Sequence, residues 1–330
     1  MVLTKPAYYD AFACLAGDCP DSCCHQWDVQ VDPAAAARYQ ALPGALGDRL
    51  RQFLYREDGA WYLALDGDRC PLWQADGLCQ IQRQLGHEAL CAVCRNFPRL
   101  RHDYGDFVEL GLELSCPEAA RLILTAPAAP PVQARVPGGD VPEYDREAML
   151  LLRKTRQTAL ALLRDHPLPQ ALGLLLLYAH HVQRLLDGAA WVPFQEEAAV
   201  AFGKTLAEPP DPAGLRRVYL GLEILTDRWR HLLEAPPDPG PWLPGHRAMA
   251  RYGVERYWLQ AVSDYDLAGR VKLILSGCVL VRDLGGDLLS TAQLWSKEIE
   301  NCADNVEALL DAAYHHPALT DARLLGALLP

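Results

Sequence analysis

Clusters of basic residues are missing from this sequence. Its 330 residues include 31 Lys and Arg against 42 Asp and Glu, which gives a net charge of -11. No Lys/Arg-rich run occurs along the chain. Proteins that bind nucleic acid concentrate basic residues on one surface, where they contact phosphates. The sequence therefore predicts a protein without a nucleic-acid partner.

Long apolar runs are missing as well. The longest, residues 171–179, ends at His180-His181 and is shorter than the roughly 20 residues that span a bilayer. The start of the chain does not combine a positive segment with a long apolar one, as a secretion signal would. We therefore expect a cytoplasmic protein without a membrane partner. Thiols stay reduced in the cytosol, so dense cysteines there indicate metal ligands or redox groups rather than disulfides.

Two familiar cofactor motifs are absent. Gly285-Gly286 follows a helix-like segment, whereas a dinucleotide-binding fingerprint needs glycines between a strand and a helix. The CxxxCxxC motif of radical S-adenosylmethionine enzymes is incomplete, because Cys19 and Cys23 are followed by Gln26 at the next required position. Neither a dinucleotide site nor a radical-enzyme cluster of that type is expected.

Cysteine is abundant and unevenly placed. Of the 11 cysteines, nine precede residue 120, and four of these fall between positions 14 and 24. Thiolates are soft ligands for zinc or iron–sulfur clusters. Cys278 and Cys302 stand singly in helical sequence, so we expect them to be packing residues. The nine are Cys14, Cys19, Cys23, Cys24, Cys70, Cys79, Cys91, Cys94 and Cys116.

The spacing of the cysteines does not identify the metal. Zinc sites usually combine two CxxC-like pairs, and this chain has one, Cys91-Ala-Val-Cys94. One [4Fe-4S] cluster needs four cysteines and two clusters need eight, so the count permits either, with zinc as the alternative metal. Neighbouring histidines at 180–181 and 315–316 point to different faces of a helix, and we expect no metal there.

The sequence predicts a mainly α fold. An irregular, cysteine-rich, metal-bound part with a few short strands (residues 1–125) leads through a Pro/Gly linker (126–142) to an α-helical domain (143–330). Strands are expected near 27–31, at 61–65 and at 107–114, and helices at 34–41 and 117–124. In the helical domain, patterning predicts helices at 143–166, 170–186, 193–206, 214–233, 246–262, 265–283 and 291–314, the last capped by Ser290, and a short final helix.

Four blocks of the cysteine-rich part resemble the flagellin lysine-N-methylase (FliB) family, within the wider YkgJ-type cysteine-cluster proteins. The blocks occur in order over about residues 12–121. They are Phe12-x-Cys14-x4-Cys19-x3-Cys23-Cys24-x2-Trp27, Cys70-Pro-Leu-x5-Gly77-Leu-Cys79-x-Ile81-Gln82-x2-Leu85-Gly86, Cys94-Arg95-Asn-Phe97-Pro98-Arg99 and Leu114-Ser-Cys116-Pro117-Glu118-Ala-Ala-Arg121.

The resemblance implies an iron–sulfur protein that transfers methyl groups from S-adenosylmethionine to lysine side chains of a flagellin-like protein, or to a related small amine. It implies that one or two [4Fe-4S] clusters are held by residues of these blocks; Cys91 matches the motif less firmly. The implied ligands are Cys14, Cys19, Cys23, Cys24, Cys70, Cys79, Cys94 and Cys116.

Methyl transfer to an amine also suggests roles for other residues of this part. Aromatic faces steady a sulfonium, and a carboxylate can serve as a base, so the catalytic candidates are Tyr8, Trp27, Tyr104 and Glu118. Arg95, Arg99 and Arg121 are the candidates for cofactor binding, because they can donate hydrogen bonds to cluster sulfides or to a substrate carboxylate. The competing hypotheses are a non-catalytic iron–sulfur or zinc module with a helical partner-binding domain, and a redox iron–sulfur protein.

Overall fold

The predicted mainly α fold is confirmed. A computed structural model describes residues 1–127, 129–138 and 142–329, and α-helices dominate it. The described chain divides into two compact units. The first comprises residues 1–103, 107–122 and 129–136, and the second comprises the described parts of 104–106, 123–128 and 137–330.

The first unit contains two small sheets. Their strands are β1 (Val2–Lys5), β2 (Val29–Val31), β3 (Leu54–Glu57), β4 (Ala60–Leu63), β5 (Arg99–Asp103), β6 (Phe107–Leu112) and β7 (Val132–Arg135). In one sheet, β1 runs parallel to β6, with Val2 opposite Phe107, and antiparallel to β7, in the order β5-β6-β1-β7. The other sheet is antiparallel, in the order β2-β4-β3.

Five short α-helices begin in the described part of this unit. The first begins where the sequence predicts it, because the Asp32 carboxylate accepts a hydrogen bond from the Ala35 amide and Pro33 occupies the first turn. Val29, Val31 and Tyr39 are buried in a small core beside it. The helices are α1 (Pro33–Ala41), α2 (Gly44–Phe53), α3 (Gln80–Leu85), α4 (Ala92–Asn96) and α5 (Pro117–Thr125).

The patterning identifies β2, β4, β6, α1 and α5, but it misses β1, β3, β5 and β7. The missed strands are only four or five residues long and become strands through pairing with distant partners. Strand β7 lies inside the segment predicted to be a linker, so residues 132–135 of that segment are paired in a sheet. Residues 128 and 139–141 of the predicted linker lie outside the described residues.

The second unit is helical. Its α-helices are α6 (Arg146–Asp165), α7 (Leu168–Leu186), α8 (Glu196–Leu206), α9 (Pro212–Leu220), α10 (Asp227–Glu234), α11 (Pro244–Tyr257), α12 (Leu267–Leu284), α13 (Leu288–Ile299), α14 (Ala303–His315) and α15 (Asp321–Leu328). Helix α12 lies at the centre of the unit, where it contacts α7, α11, α13 and α14. Every residue of α12 except Arg282 is buried, as expected of a helix surrounded by others.

The single helix predicted over 214–233 is wrong. The segment forms α9 and α10, and the Thr226 side chain caps α10 by accepting from the Trp229 amide. Glu298 of α13 stabilises the break, since its carboxylate accepts hydrogen bonds from the Leu225 amide and the Thr226 hydroxyl. A side chain that is distant in sequence therefore sets this helix boundary.

The single helix predicted over 291–314 is also wrong. It forms α13 and α14, and Asp287 rather than Ser290 caps the first of them. The Glu300 carboxylate, at the end of α13, accepts hydrogen bonds from the Tyr252 and Tyr257 hydroxyls. None of the helices in the described part of the chain is both long and apolar enough to cross a membrane.

Candidate metal centre

Most of the predicted ligands meet in one cleft of the first unit. The cleft has a volume of about 640 Å³. Cys70 does not line it but contacts Cys24, which does. The cysteines that line the cleft are Cys14, Cys19, Cys23, Cys24, Cys79, Cys94 and Cys116. The four sequence blocks, separated by up to about a hundred residues, thus contribute to one site.

A close approach of two backbones brings the first block to the second. Gly77 has a φ of +78°, and a Cβ atom there would lie 2.8 Å from the Cα of Gly17. A Cβ on Gly17 would in turn lie 2.6 Å from the carbonyl oxygen of Asp76. Larger residues do not fit this contact. It holds the segment carrying Cys14 and Cys19 against the segment that leads to Cys79.

Cys23, Cys24 and Cys70 form a hydrogen-bonded trio of thiols. The Cys70 amide donates to the Cys24 carbonyl at 2.7 Å. Hydrogen bonds from the Cys23 and Cys70 thiols lower the pKa of Cys24, while the same bonds, together with burial, raise the pKa of both donors. The adjacent cysteines 23 and 24 therefore both face the cleft, although neighbouring side chains commonly diverge.

The CxxC pair is the second point at which thiols touch. Cys91 is buried at the start of α4, and Cys94 lies one turn later in the cleft. Their side-chain hydrogen bond lowers the pKa of Cys91 to about 7 and raises that of Cys94 well above its usual range. Asp32 fixes this turn, since its second carboxylate oxygen accepts from the Ala92 amide at 2.8 Å. Cys91, the weakest match to the motif, thus supports the thiol that reaches the cleft.

Cys79 and Cys116 complete the set from the N-terminal ends of α3 and α5. Cys79 is the N-cap residue of α3, and Cys116 directly precedes α5. Burial raises the pKa of Cys79 and brings that of Cys116 to about 11, against the opposing effect of backbone amides of the following helix. Without a metal these two thiols stay protonated at neutral pH.

The donor set of the cleft consists largely of thiols, which are soft ligands for zinc or iron–sulfur clusters. Among the described residues, no three His, Cys, Asp or Glu side chains are grouped so as to hold a single metal ion. Each thiolate of a [4Fe-4S] cluster binds a different iron atom, so the residues that would hold a cluster are the thiols along this cleft.

The other predicted site residues divide into two groups. Trp27, Glu118, Arg95 and Arg99 line the cleft with the thiols, and the Trp27 ring lies 6.5 Å from that of Phe97. Tyr8, Tyr104 and Arg121 do not line it. Tyr104 belongs to the second unit, where its ring meets that of Tyr144 edge to face. Arg121 pairs with Glu118.

This pairing restricts what Glu118 can do. The Nε and Nη2 atoms of Arg121 donate to its carboxylate, at 2.8 and 2.7 Å. The hydrogen bonds hold the pKa of Glu118 below its usual range. Its carboxylate is therefore a weaker base than a free glutamate.

Several polar residues of the cleft were not predicted. Asp21, Ser22, Asn96 and Ser115 line it, and each lies within two positions of a predicted ligand, which was an available signal. His87 also lines the cleft. It directly follows Gly86, the last residue of the second block, so its position beside that block was the available signal.

The remaining cysteines and histidines lie in the second unit. Cys278 is fully buried in α12, in agreement with a packing role. Cys302 is not inside a helix as expected but is the N-cap residue of α14, and its thiol lies 3.6 Å from the Glu223 carboxylate. The His180 Nε2 atom lies 3.0 Å from the Asp321 carboxylate, while His181 stacks on Tyr178.

Together, the fold and the thiol-lined cleft define a mainly α-helical protein with a cysteine-rich candidate metal site. The chain is similar to the flagellar biosynthetic protein FliU of Salmonella muenchen, with 32% identity over 136 residues, and covers 80% of that protein and 39% of its own length. It is equally similar to the lysine-N-methylases of Salmonella typhimurium and Salmonella choleraesuis, at 32% identity over 136 residues. The chain belongs to this lysine-N-methylase (FliB/FliU) family.

The match has limits. The chain covers only 34% of the length of either lysine-N-methylase. No protein-family model matches the chain, and no solved structure does either.

Proposed function

We propose that this protein is an iron–sulfur-containing, S-adenosylmethionine-dependent N-methyltransferase that acts on lysine side chains of a protein, flagellin-like in character, or on a related amine. The lysine-N-methylase relatives support the reaction class. The observation that carries the proposal is the cleft in which seven thiols from four sequence blocks meet. Such a site would work in the cytoplasm, where thiols stay reduced.

One or two [4Fe-4S] clusters would be held by the eight predicted cysteines. Seven of these line the cleft, and the eighth, Cys70, is hydrogen-bonded to Cys24. A bound cluster would supply iron coordination and a fixed charge beside the substrates. The low pKa of Cys24 favours the thiolate form that binds iron.

The proposed reaction is a direct displacement. The neutral lysine Nζ attacks the methyl carbon of the sulfonium, the new N–C bond forms as the C–S bond breaks, and S-adenosylhomocysteine leaves. Lysine has an ordinary pKa of about 10.4, so the site must lower it by desolvation or remove the proton with a base. Glu118 is poorly suited to be that base, because Arg121 holds its pKa low.

The aromatic wall of the cleft offers a second contribution. Trp27 and Phe97 line it side by side. Aromatic faces attract cations by about 0.5–2 kcal/mol, and the sulfonium and the product ammonium are both cations. Trp27 is therefore positioned to steady the methyl donor rather than to transfer a proton.

Anaerobically purified protein tests both halves of the proposal. We expect bound iron and acid-labile sulfide with visible absorption, and a mass increase of one or more methyl groups on flagellin given S-adenosylmethionine. The Cys24→Ser variant should lose iron, whereas Cys302→Ser, in the second unit, should retain it. Protein without iron and sulfide would contradict the cluster. An unmodified flagellin would contradict methylation of that protein, and no methyl transfer to flagellin or to a lysine-like amine would contradict the methyltransferase proposal.

A further inference from the structure

The cleft contains few cations. Among the described residues that line it, the arginines are Arg95 and Arg99. Arg95 has a carboxylate neighbour, Glu88, at 3.7 Å. Arg99 has no carboxylate within 4.0 Å in the described part of the chain. The guanidinium of Arg99 is thus available to a ligand.

The conformation of Arg99 is nevertheless defined. Its guanidinium carbon lies 4.9 Å from the centroid of the Phe12 ring, and Phe12 is buried, with 8% of its surface exposed. A guanidinium over the face of an aromatic ring is attracted to that face while its N–H donors stay available. This contact restrains Arg99 beside the cleft before any ligand binds.

Arg101 provides an internal comparison. It lies two residues further along β5 and is exposed on the same face of the strand. Unlike Arg99, it does not line the cleft, and it pairs with Asp103 at 2.6 Å. Arg99 and Arg101 thus lie on one face of the same strand, and Arg99, which lines the thiol-containing cleft, is the one without a carboxylate partner among the described residues.

We propose that Arg99 binds the carboxylate of the amino-acid portion of S-adenosylmethionine. An arginine fork and a carboxylate form two parallel charge-assisted hydrogen bonds. Phe12, Cys14 and Arg99 all line the cleft, so a ligand anchored at Arg99 would lie in the cleft that the thiols line. This assignment rests on the proposed methyl transfer and identifies the residue that orients the methyl donor.

The test is a comparison of two ligands on anaerobically purified, full-length protein. Calorimetry measures the affinity for S-adenosylmethionine and for decarboxylated S-adenosylmethionine, which retains the sulfonium and lacks the carboxylate. The wild-type protein should bind the decarboxylated ligand about 10- to 100-fold more weakly, as expected for a lost hydrogen-bonded charge pair. Arg99→Gln should bind both ligands with the same low affinity.

Two further variants control the result. Arg101→Gln should retain the full preference for the carboxylate. Arg99→Lys should recover part of it, because a lysine retains the charge but not the fork. Iron content is measured on every sample, and Arg99→Lys carries the test if Arg99→Gln loses iron.

The outcomes distinguish a failure of the Arg99 assignment from a failure of the methyltransferase proposal. If Arg99→Gln retains the wild-type preference for the carboxylate, the assignment of Arg99 is overturned while the methyltransferase proposal stands. If the wild-type protein binds neither ligand, both are overturned. If Arg101→Gln loses the preference as strongly as Arg99→Gln, the effect is a general loss of positive charge and the assignment to Arg99 is wrong.

Discussion

The two units of the molecule are stabilised in different ways. The second surrounds the long helix α12, of which all residues but one are buried. In the first, α3 and α4 have only six and five residues, and its candidate ligands lie largely in irregular segments between short elements. Burial of apolar surface is the main favourable term in folding. We therefore expect the second unit to depend mainly on apolar burial, while the first unit would depend in part on a bound metal.

Removal of the metal should produce the largest difference between the units. If a cluster links the four cysteine blocks, its binding free energy is part of the folding free energy of the first unit, on the order of 10 kcal/mol for a structural metal. We expect iron removal by a chelator to open residues 12–120 to proteolysis and hydrogen exchange, with α12 still protected. Equal protection of both units after iron removal would show that the first unit does not depend on a cluster for its stability.

Removal of a large core side chain from the second unit should lower the stability of that unit without affecting the metal content of the first. Trp258 is fully buried, and its indole nitrogen donates to the Thr155 hydroxyl at 3.3 Å. Trp258→Ala should lower the free energy of unfolding by about 3–5 kcal/mol and leave the iron content per folded chain unchanged. Trp191→Ala is the control, since Trp191 is 55% exposed. If Trp258→Ala lost iron while both units remained folded, the stability of the second unit and the metal site of the first would be coupled.

The same difference decides what the sequence could predict. Cysteine density and the motif blocks predicted which thiols line the cleft, because both are read directly from the sequence. The breaks at Thr226 and Glu300 could not be predicted, because they depend on carboxylates and hydroxyls brought together by folding. Glu118 and Arg121 are three residues apart on one helix, so their ion pair could be predicted. The contact of Arg99 with Phe12 could not be predicted, because β5, the strand that carries Arg99, was missed.

Two aspartates that cap helices, one in each unit, test whether the Asp32 contact holds the CxxC turn. Asp32 caps α1 and also binds the Ala92 amide at the CxxC turn, whereas Asp145 caps α6 in the second unit. Either substitution to Ala should cost about 0.5–2 kcal/mol of stability. Only Asp32→Ala should also speed the loss of iron, followed by visible absorption during dilution into a chelator. Equal rates of iron loss in the two variants would exclude a role of Asp32 in holding the CxxC turn.

The smallest predicted effect is a pH dependence confined to the second unit. Burial alone would raise the pKa of Asp321, but hydrogen bonds and ion pairs with His180 and Lys272 outweigh it and lower the pKa to about 2. An aspartate with a lowered pKa stabilises the folded state above its unfolded pKa of about 3.9, and this contribution disappears as pH falls through the folded value. Because Asp321 is one-third exposed, screening reduces the contribution to about 1 kcal/mol.

The stability difference between wild type and Asp321→Asn should therefore be constant above about pH 5 and shrink by about 1 kcal/mol towards pH 2. Denaturant unfolding followed by helical circular dichroism measures it. Asp311→Asn, at an exposed position paired only with His315 among the described residues, should show a much smaller change. A difference that stayed constant down to pH 2 would mean that Asp321 is no more acidic when folded than when unfolded. The second unit would then be held by apolar burial without a contribution from this ion pair, which would make its contrast with the thiol-lined unit sharper still.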